Sequence, residues 1–275
     1  MKDTILFGDC RDTLKQFDEK ARCCVTSPPY YGLRDYGGED KQIGLEQSPE
    51  EYIQEMVNVF RLVRDNLTDD GTLWLNIGDS YYNYRPGKGG LPQQTVSNTK
   101  QDLPDQCNRR ANKLEGLKEK DLIGIPWMLA FALRADGWYL RQDIIWSKGN
   151  PMPESVRDRC TKSHEYIFLL SKSQNYYFDV DTIKEQSRRK RSVWNVNVKP
   201  NKQAHFATYP EELIEPCILA GSKENDIVLD PFMGSGTTAA VARRLDRYYI
   251  GCELHEDYNK LIQERVPVNI VSTFG

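Results

Sequence analysis

Residues 226–253 read DIVLDPFMGSGTTAAVARRLDRYYIGCE. IVLD (227–230) is a short continuous apolar run that ends in an acid, the pattern of a strand buried on both faces. PFMGSG (231–236) is a turn whose two glycines, Gly234 and Gly236, let a ligand come close to the backbone. TTAAVARRL (237–245) opens a helix, and its first N–H groups have no partner within the helix and face that ligand. YYIGCE (248–253) is the next buried strand and ends in a second acid, Glu253. Strand, glycine turn, helix, strand is half of a nucleotide-binding α/β fold.

The two acids narrow the ligand. A dinucleotide fingerprint wants G-x-G-x-x-G, and here only Gly234 and Gly236 occur before Thr237, Thr238 and Ala239. Asp230 at the strand end would repel a pyrophosphate but suits an ammonium group. Glu253, about twenty residues further on, is placed to accept hydrogen bonds from a ribose diol. A ligand that carries both an amino-acid ammonium and an adenosine ribose satisfies both, and S-adenosyl-L-methionine is such a ligand. NAD, a mononucleotide, and a plain structural turn whose acids face water are the alternatives.

Working outward, strands and helices alternate, which argues for a doubly wound, mostly parallel sheet. TILFG is a strand candidate ending at Gly8-Asp9, RDTLKQF is one or two helical turns, and ARCCVTS is a second strand. SPEEYIQEMVNVFRLVRDNL is the clearest helix: Ser48 caps it, Pro49 suits its first turn, and Glu51 completes a capping box. Tyr52, Met56, Phe60 and Val63 share one face of it. DDG is expected to break the chain before the strand TLWLNIGDS. IPWMLAFALRADG is a helix, WYLRQDIIWSKG and HEYIFLLSKS are strands on either side of the rigid loop NPMPES, and YPEELIEPCILAGS is a helix. Residues 83–120 show little apolar periodicity and read as a long loop or insertion, a length that is usually functional or disordered.

The second strand runs straight into TSPPYYGLRDYG (26–37). Each proline biases the residue before it away from the helical region, so the segment leaves the strand extended and stiff. It does so at the carboxyl edge of a strand, where open α/β sheets bind ligands. A Pro-Pro pair offers a carbonyl acceptor, Ser27 adds a second acceptor, and Tyr30 supplies a flat face. Two acceptors beside an aromatic plate fit an exocyclic amino group on a planar base. A proline-stiffened turn with a tyrosine packed on it is the simpler alternative.

Taken together, TSPPYYGLRDYG and DPFMGSGTT resemble the amino-group DNA methyltransferases, whose motifs are [DNS]-P-P-[YFW] and an F-x-G-x-G loop. Here the catalytic motif precedes the cofactor loop, an order similar to the β arrangement of that family. The resemblance implies a circularly permuted Rossmann-like methyltransferase sheet in a single domain over 1–275, with a small inserted or appended DNA-recognition region. It implies methyl transfer from S-adenosyl-L-methionine to the N4 of cytosine or the N6 of adenine in double-stranded DNA, with Ser27, Pro28, Pro29 and Tyr30 as the catalytic residues, and Tyr31 assisting. The cofactor residues it implies are Asp9, in GDCRDTL, with Thr26, Phe206, Asp230, Pro231, Phe232, Gly234, Ser235, Gly236, Thr237, Thr238 and Glu253. IIWSKGNPMPESVRDRCTKSHEYIFLLSKS is similar to the segment that shapes the target-base pocket. Ser at position 27, instead of Asp, favours N4-cytosine within the family, with N6-adenine as the alternative. The resemblance also implies a cognate restriction endonuclease acting separately, and a monomer or homodimer. Pro216-Cys217 resembles the Pro-Cys pair of the cytosine-C5 enzymes, but it sits in a helical pattern among apolar neighbours, which marks a buried thiol.

The 275 residues carry a net charge of -3, so DNA would be held by a local basic stripe and not by a basic coat. Candidates are Arg188, Arg189, Lys190 and Arg191, then Arg157, Arg159 and Lys162, and Arg109, Arg110 and Lys113 in the insertion. An ordinary solvated basic face is the alternative for each. Arg34, with Asp35 and Tyr36, follows the catalytic loop, and His164 with Glu165 is placed to line the base pocket, or His164 is a satisfied structural histidine. Base-reading residues are expected from 83–120 and from 179–205. Seven cysteines without a CxxC pair or zinc-like spacing imply free thiols and no metal. MKDTILFGDC has charge and glycine where a signal peptide needs a long apolar run, and no apolar run is long enough to span a bilayer. A soluble cytoplasmic protein is expected.

Overall fold

The computed structural model describes residues 1–32, 42–82, 114–198 and 209–266, and the backbone of 269–271. Its strands are β1 (Thr4–Phe7), β2 (Ala21–Thr26), β3 (Leu67–Ile77), β4 (Tyr139–Ser147), β5 (His164–Ser171), β6 (Val193–Asn195), β7 (Ile227–Asp230), β8 (Tyr248–Glu253) and β9 (Asn269–Val271). Its helices are α1 (Cys10–Thr13), α2 (Pro49–Asn66), α3 (Ile125–Ala135), α4 (Glu211–Gly221), α5 (Thr237–Arg244) and α6 (Asn259–Arg265). The strands form one sheet in the order β6-β4-β5-β3-β2-β7-β8-β1-β9. Every described pairing is parallel except those of β5, which runs antiparallel to both β3 and β4.

The sheet is covered on both faces, which is why its central strands are continuously apolar. One core gathers Leu14, Tyr52, Met56, Phe60, Leu129 and Phe168 under α1, α2 and α3. The other gathers Trp74, Leu213, Ile218, Val241 and Ile262 under α4, α5 and α6. From β2 the chain passes through α2 to β3 on one side, and from β7 it passes through α5 to β8 on the other. The neighbours β2 and β7 are therefore the point where the winding reverses, and it is beyond the carboxyl ends of such a pair that open α/β sheets form their ligand crevice.

Local sequence accounts for the elements that frame this crevice. Ser48 Oγ accepts from the N–H of Glu51 at 3.2 Å, and Glu51 Oε2 reaches back to the N–H of Gln47 at 3.0 Å, so α2 starts where a capping box predicts. The end of α2 differs from expectation. The strand follows Asn66 at once, and the Asp69-Asp70-Gly71 step lies inside it. Leu67 pairs with Ala21 and Thr72 with Cys23, so residues 68–71 bulge opposite Arg22. Asp70 ion-pairs with Arg22, and the bulge needs glycine at 71, because a Cβ there would lie 2.9 Å from the Thr68 carbonyl oxygen. The basic stretch after residue 188 also contains a strand, β6, whose Trp194 is buried.

Candidate active site

The carboxyl ends of β2 and β7 are fastened to each other by one buried carboxylate. Thr26 Oγ1, the last residue of β2, donates to Asp230 Oδ1 at 2.6 Å. Thr238 Oγ1 in α5 donates to Oδ2 at 2.5 Å, Tyr209 Oη donates to Oδ2 at 3.1 Å, and the N–H of Phe232 donates to Oδ1 at 3.0 Å. Asp230 is 1% exposed, and burial raises its pKa even against these four donors. The carboxylate is satisfied from within, and Thr26, Thr238 and Asp230 fasten β2, α5 and β7 together at the floor of the site. Thr237 is likewise turned inward, accepting from Arg265 Nη1 at 2.8 Å.

What does face the crevice is the loop itself. Gly234 and Gly236 have φ of 54° and 84°, the left-handed region open to glycine. Gly236 caps α5, and its first N–H groups point into the turn. Pro231 and Ser235 are buried and Phe232 is half-buried. Ser235 Oγ is buried with no hydrogen-bond partner among the described residues. An orphaned hydroxyl in a glycine turn suits a polar ligand, since a buried unpaired donor is otherwise costly. Glu253, at the end of β8, accepts from the N–H of Gly234 at 2.7 Å and from the N–H of His255 at 2.9 Å. Burial pushes its pKa up to about 7. Hydroxyl donors would relieve that cost, so loop, orphan hydroxyl and acid together fit the adenosine-bearing cofactor that the sequence implies.

Asp9 lies beside Glu253, where the N–H of Gly8 donates to the Glu253 carbonyl at 2.8 Å. Its carboxylate caps α1 and is gripped by Arg11, with Nη2 at 2.6 Å, while Arg11 reaches on to Glu55 at 2.9 Å. Asp9 therefore anchors the wall of the site through Arg11. Phe206 lies outside the described residues.

The loop that follows β2, TSPPYY, is held from both sides. Tyr52 Oη in α2 donates to the Pro29 carbonyl at 2.9 Å, which anchors the loop to α2. Tyr31 packs against Tyr52 with ring centroids 5.7 Å apart, which makes it part of the anchor. Tyr30 Oη donates to Glu165 Oε2 at 2.6 Å and lies 3.3 Å from Asn76 Oδ1. The Tyr30 side chain also interacts with Ser27, and burial together with Glu165 holds its phenol well above the usual range. Lys148 ion-pairs with the other oxygen of Glu165.

The basic candidates divide. Arg188, Arg189 and Arg191 are exposed beside β6, and Arg157 is exposed in the loop between β4 and β5. Two of the candidates have partners within the protein: Arg159 pairs with Glu154 at 2.6 Å and covers the Tyr81 ring at 3.9 Å, and Lys190 pairs with Glu185 and lies over Trp194. His164 packs edge-on against Tyr166, which itself stacks on Phe168. Lys162 donates to the Asp79 carbonyl at 2.7 Å. Arg34, Asp35, Tyr36, Arg109, Arg110 and Lys113 lie outside the described residues. Cys217 is 1% exposed in α4, and burial pushes its thiol well up, as befits an inert thiol. Among the described residues, no cluster of His, Cys, Asp or Glu could hold a metal ion.

Residues that the sequence did not single out are Asn76, Gly78, Lys148 and Tyr209, and Tyr52 was read only as part of the apolar face of α2. The available signals were the polar break in LNIGD after an apolar strand, and a charged pair on two neighbouring strands.

The protein-family model for N6/N4 methyltransferases, described as DNA methylase, matches residues 21–264. The type II methyltransferase M.Cfr9I of Citrobacter freundii is 49% identical over 269 residues, covering 96% of this chain and 87% of its own length. The type II methyltransferase M.SmaI of Serratia marcescens is 50% identical over 275 residues, covering 95% and 90%. The solved structure of TTHA0409, a DNA modification methylase homologue from Thermus thermophilus complexed with S-adenosyl-L-methionine, matches with a TM-score of 0.66 at 25% identity, over 98% of this chain and 99% of that one.

Proposed function

Because the chain belongs to the N6/N4 family of DNA methylases, we propose that it methylates the exocyclic N4 of cytosine at a specific site in double-stranded DNA. S-adenosyl-L-methionine is the cofactor, and when bound it supplies a methyl group on a sulfonium, an electrophile that needs no metal. Gly234, Ser235, Gly236 and Phe232 would hold it, with Glu253 accepting from the ribose.

An amino nitrogen conjugated to its ring is a poor nucleophile. Ser27 Oγ and the Pro28 carbonyl would accept hydrogen bonds from its two N–H groups and turn the lone pair out of conjugation towards the methyl; as the N–C bond forms and the S–C bond breaks, the surplus N–H proton would leave to solvent. The gain comes from positioning and from preorganised dipoles. The target base is out of reach inside a duplex, so it must be flipped out, and Tyr30 would stack on it. Arg157, Arg188, Arg189 and Arg191 would contact phosphates, which position without reading sequence. We assign base reading to 83–120 and 179–205. Such an enzyme works on the chromosome in the cytoplasm, and a restriction endonuclease of the same specificity would act as a separate protein. Among the described residues, no helix is long and apolar enough to cross a membrane.

The observation that carries the choice of cytosine is Ser27, a neutral hydroxyl where the family pattern also allows Asp or Asn. Mixed-sequence DNA incubated with the protein and cofactor, then digested to nucleosides, should yield N4-methylcytosine by mass spectrometry. N6-methyladenine in its place would overturn the base assignment. Ser27→Ala should slow transfer about 100-fold while cofactor affinity is unchanged; transfer at the wild-type rate would remove Ser27 from the mechanism.

A further inference from the structure

We infer that Glu165 is a positioning residue that fixes the plane of the Tyr30 ring, and through it the seat of the flipped base. The inference rests on the reading of Tyr30 given above. The loop that carries Tyr30 has its backbone held on either side of the ring, at the Pro29 carbonyl and at the Gly32 N–H, which donates to the Gly44 carbonyl at 2.9 Å, but the ring itself still has two rotatable bonds. Three contacts remove that freedom. The hydroxyl donates to Glu165 Oε2 at 2.6 Å, with Asn76 Oδ1 at 3.3 Å. Asn76 Nδ2 is itself held, donating to the Tyr166 carbonyl at 3.1 Å and lying 3.3 Å from Glu165 Oε2. The ring lies so close to the backbone of Gly78 that a Cβ there would meet Tyr30 Cε2 at 2.7 Å and the Glu165 carboxyl carbon at 3.4 Å.

Glu165 is fit for this because it is fixed in turn. It sits at the start of β5, and its side chain is 15% exposed and paired with Lys148. Lys148 lies over the Trp146 ring at 4.4 Å from the centroid. The antiparallel pair β4–β5 thus grips a loop that grows from β2, across the intervening β3. A charged acceptor makes the phenol hydrogen bond strong and directional.

A double-mutant cycle tests this, with the single-turnover rate of methyl transfer to target duplex and cofactor Kd as readouts. Tyr30→Phe keeps the ring and removes its tether, and Glu165→Gln keeps the shape and removes the charge. Each should lower the rate about 10-fold, with cofactor Kd unchanged. Because both act on one ring, the double variant should also be about 10-fold down, not about 100-fold. If Glu165→Gln fails to fold by circular dichroism, Glu165→Gln with Lys148→Met takes its place on both arms, since it leaves no unpaired ammonium. An additive cycle, or Glu165→Gln transferring at the wild-type rate with only a lowered Tm, overturns the inference while the proposed function stands. A wild-type protein that methylates neither cytosine nor adenine overturns the proposed function and this inference with it.

Discussion

At the scale of single residues, Glu253 carries the sharpest consequence. Its pKa is pushed up to about 7 by burial, so the folded state prefers the protonated form. A raised folded-state pKa gives stability that is fully present below the ordinary carboxylate range and is lost as pH rises through about 7. In the absence of cofactor, Glu253→Gln should therefore be more stable than wild type at pH 8 by on the order of 1–3 kcal/mol, with the gap closing towards pH 4; calorimetric melting measures it. Ribose hydroxyls favour the charged carboxylate, so cofactor should bind more tightly as pH rises from 6 to 8, and Glu253→Gln should bind weakly with no such slope by isothermal titration. The acid itself was legible in the sequence, because a buried run ending in Glu is conspicuous. The inward turn of Asp230 was not. Its partner Thr26 is 204 residues away, and no spacing rule reaches that far.

At the scale of elements, the seam between β2 and β7 depends on that pair. Thr26→Val keeps the shape but leaves a buried carboxylate short of one donor, which should cost about 1–3 kcal/mol. Urea unfolding should show a lower midpoint with an unchanged m-value; an unchanged midpoint would mean the seam is held by its strand pairing alone. The elements that sequence reading located best are those with local signals: α2 with its cap and its apolar face, and the strand–glycine turn–helix of β7 and α5. It missed where locality ends. Asp69-Asp70-Gly71 reads as a break, yet Arg22 on the neighbouring strand supplies Asp70 with a partner and keeps the segment in the sheet as a bulge. β6 is three residues long, too short for any periodicity, and is fixed by pairing with β4 and by the buried Trp194.

At the scale of the whole molecule, a chain of net charge -3 must hold DNA through a few exposed cations. Arg188, Arg189 and Arg191 adjoin β6, which lies four strands from β2 in the sheet, roughly 19 Å at ordinary strand spacing. Replacing all three with alanine should reduce the slope of log K against log salt by about 2.7, at about 0.9 per phosphate contact. Specific and non-specific duplexes should weaken alike in fluorescence anisotropy; a loss confined to the specific duplex would make these arginines base readers. The strand order that sets this distance also governs how the chain is made. β2 borders β3 on one side and β7 on the other, and β7 begins at residue 227. On the ribosome, the strand bearing the catalytic loop waits through most of synthesis with one edge unpaired, and an open edge of apolar residues invites pairing with other chains. The permuted order thus places the cost of the active site in biogenesis: the nascent enzyme is at its most sticky until its cofactor half emerges and closes the sheet.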